Sequence, residues 1–215
     1  GDDTLDRDAR IKLSIGTKER SYADGQFNLP RGLAFDHHRG LLLVVECNNH
    51  RVQVFSCDDD DGGGSFVSKL GEYGRQPGQF LNPWGVAIDH DHDRILITDT
   101  FNNRVQSWSL SNQSFLSFID QYESRYLEFR SPRGIAIDKH HHRIIITDTN
   151  NDRLVFLSSI DLSFLLSVGK PGSRPGEFCR PSGIAIDDDR HRIIVSDSIN
   201  HRVQVLSLID GSFLF

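Results

Sequence analysis

The chain has 215 residues, 37% of them hydrophobic, enough to bury one substantial core, and a formal net charge of -6. No apolar stretch approaches the roughly 20 residues needed to cross a bilayer, which excludes a helical membrane span, and three cysteines at unrelated positions argue against a disulfide framework or a thiolate zinc site. With no signal-peptide pattern and no methionine even at position 1, the chain reads as a processed or excised piece of an intracellular, cytoplasmic protein.

Taken in chain order, residues 1–10 form a polar tail and "IKLSIG" at 11–16 predicts a single outer strand. A unit then recurs four times, with cores at about 27–71, 80–120, 129–169 and 178–215, so that residues 11–215 make one repeat domain. Gly32, Gly85, Gly134 and Gly183 are 53, 49 and 49 residues apart, and Arg51, Arg104, Arg153 and Arg202 keep the same spacing. The longer first interval lies between Arg51 and Phe66, in the "CDDDDGGG" loop, an acidic solvated insertion without the ligand spacing of a calcium-binding loop.

Each unit predicts four short strands, of the types GIAID, RIIVSDS, RVQVLSL and SFLLSVG, rich in Ile, Val, Leu and Phe and separated by Asp, Asn, Gly and Pro. One such sheet cannot bury both of its apolar faces alone. Sheets must therefore stack face to face, and a ring of blades, the β-propeller, is the all-β solution.

The recurring "PRGLAFD", "PWGVAID", "PRGIAID" and "PSGIAID", each followed by an apolar strand ending in an acid and by "NNHRV", "FNNRV", "NNDRL" or "INHRV", resemble the NHL repeat over nearly the whole chain. The resemblance implies a propeller used mostly to bind partner proteins and, in some members, single-stranded RNA, with a few metal-dependent lyases among its relatives. Such rings usually have about six blades. Four repeats leave two arrangements open: a closed four-bladed ring in which residues 11–16 complete the last blade, or part of a larger propeller, which would favour self-association through exposed blade faces.

In an up-and-down blade the first-to-second and third-to-fourth strand turns share one face, here rich in aspartate, while the opposite face is near neutral with basic spots. Eight of the ten histidines fall in first turns, and His37, His90, His92, His140, His141, His142 and His191 are donor types for a transition metal. Turns on successive blades diverge, so solvated turns are the expectation. "HHH" at 140–142 is the remaining weak metal candidate, and no cofactor is implied.

Asp99, Asp148 and Asp197 end the second strands, with Glu46 in the first repeat. Together with Asn49, Asn102, Asn151 and Asn200 and with Arg51, Arg104, Arg153 and Arg202 they are expected to build tight turns and hold the blades. A catalytic reading of "SDSINHR" fails because the motif recurs in partial copies.

The positions where repeats disagree on the more basic face are the candidate contacts. Between Pro and Gly stand Arg31, Trp84, Arg133 and Ser182, and at the turn tips Phe101 and Ile199 replace asparagine. Tyr73, Arg75, Tyr126, Arg130, Arg174 and Arg180 lie in the interblade connections. Arginine and large aromatics are enriched at binding hot spots, and loops on a rigid scaffold carry function. The expectation is a non-catalytic module for a protein or peptide. Single-stranded RNA is the alternative, weakened by a near-neutral face, and a lyase is disfavoured because no histidine is predicted on an innermost strand.

Overall fold

The computed structural model describes residues 14–57, 64–120 and 127–215. The polar tail, residues 11–13, the aspartates of the "CDDDDGGG" loop and Tyr126 lie outside the described residues.

Four antiparallel sheets follow one another along the chain. The first holds β1 (Pro30–Asp36), β2 (Leu41–Glu46), β3 (Arg51–Ser56) and β4 (Ser65–Leu70). The second holds β5 (Pro83–Asp89), β6 (Arg94–Asp99), β7 (Arg104–Ser109) and β8 (Phe115–Ile119). The third holds β9 (Pro132–Asp138), β10 (Arg143–Asp148), β11 (Arg153–Ser158) and β12 (Phe164–Val168). In the fourth, β13 (Pro181–Asp187), β14 (Arg192–Asp197) and β15 (Arg202–Ser207) form the sheet, and the C-terminal segment lies alongside through a Leu206–Phe213 bridge and a Val205 N–H donating to the Phe215 carbonyl at 2.9 Å.

Strand alternation explains the stacking. Leu43, Val45, Val52 and Val54 leave one face of the first blade and meet Val86, Ile95 and Ile97 of the second. Leu96 and Val105 leave the second to meet Ile135, Ile144 and Ile146 of the third. Ile145, Leu154 and Phe156 meet Ile193 and Val195 of the fourth. A phenylalanine ahead of each first strand is wedged into the blade it introduces: Phe80 stacks on Trp108 with ring centroids 5.8 Å apart, and Phe27 lies 5.5 Å from Phe55.

Glycine after Pro-x sets the distance between neighbouring inner strands. A Cβ on Gly32, Gly85 or Gly134 would fall 2.5, 2.3 or 2.4 Å from the carbonyl oxygen of Trp84, Arg133 or Ser182 on the next blade. The position admits no side chain. Around Gly183 the only such neighbour is the Ser196 side chain, at 2.9 Å.

The ends are therefore not joined. Inner strands pack as β1 on β5, β5 on β9 and β9 on β13. Leu33 on β1 is 64% exposed where the equivalent Val86 is 6%, and Val203 on β15 is 61% exposed where the equivalent Val105 is 1%. Of the segment expected to complete the last blade, residues 14–16 carry no strand and Gly16 lies against Phe27 of the first blade, while the fourth blade's outer place is taken by Phe213 to Phe215.

Gly134→Ala is expected to cost about 1–3 kcal/mol through forced blade separation. Gly183→Ala should cost well under half of that, since only a serine side chain must move. Chemical denaturation of both variants checks the pair, and equal losses would show that β13 has a close neighbour in solution.

Candidate functional site

The site is best understood from the turn that positions it. At the end of each second strand a fully buried carboxylate gathers donors. Asp99 Oδ1 accepts the Leu81 N–H at 2.7 Å, and its Oδ2 accepts from Asn102 Nδ2 at 2.9 Å, Arg104 Nε at 2.8 Å and Gln106 Nε2 at 2.9 Å. Glu46, Asp148 and Asp197 repeat the arrangement with the Asn28, Arg130 and Cys179 N–H groups and with Arg51, Arg153 and Arg202. Burial pushes the Asp99 and Asp148 carboxyls up from their ordinary value, and the backbone, amide and guanidinium donors oppose it.

The arginine pairs with the acid of its own blade and continues into the loop ahead of that blade, where Arg104 donates to the Arg75, Gln76 and Gln79 carbonyls. Arg75 thus contributes its backbone. The repeated asparagines are side-chain donors, and the left-handed conformation falls one residue later, on His50, Asn103, Asp152 and His201, with φ of 52 to 53°. Three of these accept a backbone N–H leading into the next blade: His50 Nδ1 from Asn82 at 3.0 Å, Asn103 Oδ1 from Ser131 at 2.8 Å and Asp152 Oδ1 from Arg180 at 2.7 Å. The varying letter conceals a constant acceptor.

These bonds fix the start of each inner strand. Pairing slips at Pro30–Leu33, Pro83–Val86 and Pro181–Ile184, and between Ile146 and Asp148 on the third blade, as a β-bulge does. Thr98 Oγ1 accepts the Gly85 N–H at 2.8 Å and donates to the Arg133 carbonyl at 2.6 Å, and Thr147 links Gly134 and Ser182 alike. The backbone beside the glycine is clamped while the side chain before it stays free.

At the mouth so formed, the Arg31 and Arg133 guanidinium carbons each lie 4.3 Å from the centroid of the Trp84 ring. Each contact contributes on the order of 0.5–1 kcal/mol where exposed. Burial lowers the Arg133 pKa from its ordinary value, reinforced by the charges of Arg180 and Arg31. The Arg133 Nε is buried without a hydrogen-bond partner. Among the described residues no carboxylate forms an ion pair with Arg31 or Arg133.

Beneath lies a cavity of about 220 Å³ lined by Leu33, Val86, Ile135 and Ile184, the inner-strand glycines, and Arg31, Trp84 and Ser182. Among the described residues its lining holds no carboxylate, imidazole or thiol side chain. Ser182 Oγ is engaged with Ser198 and Ser196 at 2.7 and 3.1 Å.

The other candidate contacts form a looser periphery. Phe101 and Ile199 are 54% and 53% exposed at their turn tips, with their own N–H groups donating to the Leu81 and Cys179 carbonyls. Tyr73 is exposed and meets the His50 ring edge at 4.9 Å. Arg130 pairs with the exposed Glu128 at 3.0 Å, and Arg174 and Arg180 are exposed. None of these lines the cavity.

Sequence reasoning missed Gln53, Gln106 and Gln204, buried amides that join the carboxylate network in three blades. Their recurrence in "RVQ" was the available signal. It also missed the tryptophan stack, since separation along the chain gives no hint that Arg31, Trp84 and Arg133 touch.

Removing the charge at Asp99 leaves Arg104, whose side chain is 6% exposed, without its counter-ion, so Asp99→Asn is expected to cost about 3–5 kcal/mol of stability. A loss below about 1 kcal/mol on denaturant unfolding would contradict this role. The pH dependence has a defined sign. Burial holds His50 below its ordinary value of 6.5, against the nearby Asp99 charge. Its contribution is complete above the unfolded value and is lost as pH falls through the folded one. His50→Asn, which keeps the acceptor, should flatten the fall in melting temperature below about pH 6.5.

The family model of the NHL repeat matches residues 27–55, 80–107 and 178–206, three of the four repeats. Over 76 residues the chain is 34% identical to the Protein brain tumor of Drosophila melanogaster, a stretch making up 35% of this chain and 7% of that protein. Similar solved folds include a chain of a nidogen/laminin complex, with a TM-score of 0.68 at 18% identity over 88% of this chain and 64% of that one. A chain of the Kuenenia stuttgartiensis hydrazine synthase gives 0.66 at 12% identity over 93% of this chain and 52% of that one. This chain thus spans under two thirds of the length of each. The repeat signature and the stacked four-stranded sheets thus agree: this is a β-propeller in which three of the four repeats match the NHL repeat.

Proposed function

We propose that this propeller is a non-catalytic recognition module that binds a protein or peptide through the face of interblade connections and second-to-third strand turns. The Arg31, Trp84 and Arg133 stack is its centre. The observation that carries the reading is that stack: two guanidiniums share one indole at a cavity mouth, with no carboxylate among the described residues paired to them. A ligand carboxylate, from an acidic side chain or a chain terminus, supplies the missing counter-charge with paired hydrogen bonds. The cavity volume is below the roughly 300–1,000 Å³ usual for small-molecule sites. It fits one inserted side chain better than a free substrate, and its apolar lining offers no general base.

The fold by itself does not choose among functions. Its neighbours include a chain from a nidogen/laminin complex and a hydrazine synthase. The free thiols of Cys47 and Cys179 suit the reducing intracellular setting expected from the sequence. Among the described residues no helix is long and apolar enough to cross a membrane. The exposed faces of the end blades, with Leu33 and Phe35 on one and Val203 on the other, favour self-association of the isolated chain.

Single-stranded RNA is the second reading, favoured by the same indole between two arginines, which suits an unstacked base beside phosphate. The near-neutral face weighs against it.

Peptides selected from a random library should be enriched in Asp and Glu and should lose at least about tenfold in affinity with Trp84→Ala or Arg133→Ala. Phe101→Ala and Ile199→Ala should weaken them less. Binding untouched by Trp84→Ala together with Phe101→Ala would overturn the choice of face. A salt-sensitive complex with single-stranded RNA, lost in Arg31→Ala and Arg133→Ala, would favour the second reading instead.

A further inference from the structure

On the acidic face, the joint between the first and second blades is built differently from the two that follow. At the start of the second strand, Arg94 and Arg143 each bind the buried aspartate of their own blade, Asp89 and Asp138, at 2.6 Å. Each also reaches the next blade, donating to the Ser159 and Leu208 carbonyls. The first blade has Leu41 at this position, packed on the apolar cluster that contains Leu110. Asp36, fully buried, therefore has no such guanidinium. Its Oδ1 instead faces His90 Nε2 of the second blade at 3.0 Å. The His38 ring lies over that of His90, with centroids 4.4 Å apart. One ligand atom from each of Asp36, His38 and His90 falls within 4.8 Å of the others.

We propose that Asp36, His38 and His90 form a binding site for a divalent transition-metal ion of the Zn²⁺ class, tying the first two blades together. Two imidazoles and one carboxylate are a common zinc donor set, and the fourth position would be left to water. Ligand atoms about 2.0–2.2 Å from a tetrahedral ion lie about 3.3 Å apart. The cluster must tighten by roughly 1.5 Å, and His38, the exposed member, is free to rotate inward. Asp36 is already fixed, since its Oδ1 accepts the His38 N–H at 2.9 Å and the Arg39 N–H at 3.3 Å.

Among the described residues, Arg39 is the guanidinium paired with Asp36. It binds Asp36 Oδ2 at 3.1 Å and lies 3.7 Å from Asp93. Its charge is thus shared between two carboxylates, and Oδ1 is the oxygen that faces His90. The surrounding aspartates raise the local cation concentration.

This site differs from the run of histidines that the sequence alone suggests. His141 Nδ1 is engaged by Asp138 at 3.0 Å, on a carboxylate already held by Arg143. Among the described residues, His140, His141 and His142 do not converge into a three-donor group.

The test is calorimetric titration of the chain with ZnCl₂ near neutral pH, together with melting temperature. One ion per chain and a raised melting temperature are expected. His38→Ala and His90→Ala should each weaken binding at least about tenfold, whereas combined His140→Ala, His141→Ala and His142→Ala should leave it unchanged. His38 is exposed, so its loss leaves folding intact and keeps the test valid should His90→Ala unfold. The absence of binding, binding unchanged in His38→Ala, or binding lost only in the triple variant would each overturn the proposal.

Discussion

Everything at the proposed binding face depends on the buried carboxylate that ends each second strand. A charge taken out of water costs several kcal/mol unless donors surround it. Here four kinds of donor do so: a backbone N–H from the segment ahead of the first strand, an asparagine amide, a guanidinium and, in three blades, a glutamine. The carboxylate is thus a junction between two parts of a blade that the chain itself separates by about 18 residues. Pinning that backbone N–H fixes where the Pro-x-Gly bulge begins. The bulge then fixes where the residue before the glycine points.

The clamp leaves a division of labour. The recurring acids are each held by several donors and cannot vary without leaving a buried guanidinium unpaired. The residue between proline and glycine has its backbone held, through Thr98 or Thr147 and the glycine of the preceding blade. Its side chain is free to become Arg31, Trp84, Arg133 or Ser182. A rigid frame with unconstrained side chains at one mouth is the arrangement that recognition sites require. The acidic face uses the same economy with different parts, since the loss of one arginine at Leu41 redirects Asp36 toward His90 of the next blade.

The strands, their order within each blade and the face-to-face stacking are legible in the sequence because alternating apolar residues and recurring turn residues answer to local physics. The ring's state was not. Whether β13 meets β1 depends on the accumulated angle between blades, which no single repeat encodes, and the open ends show only in Leu33, Val203 and the empty surroundings of Gly183. At the site, comparison of repeats singled out the variable positions. It could not say that Arg31, Trp84 and Arg133 stack while Phe101 and Ile199 stay apart at the turn tips. Divergence of the first turns, a sound expectation for most blades, fails at Asp36 and His90, because a histidine is long enough to cross one blade spacing.

The most direct test of the recognition site follows the Trp84 indole N–H and the Arg31 and Arg133 side-chain N–H signals by nuclear magnetic resonance while a glutamate-rich peptide is titrated in. The mouth residues are expected to shift together and saturably, with the Trp108 indole and the aspartate-rich face unmoved. Saturable shifts confined to other surfaces, with Trp84 and Arg133 silent, would contradict the assignment of recognition to the stacked mouth.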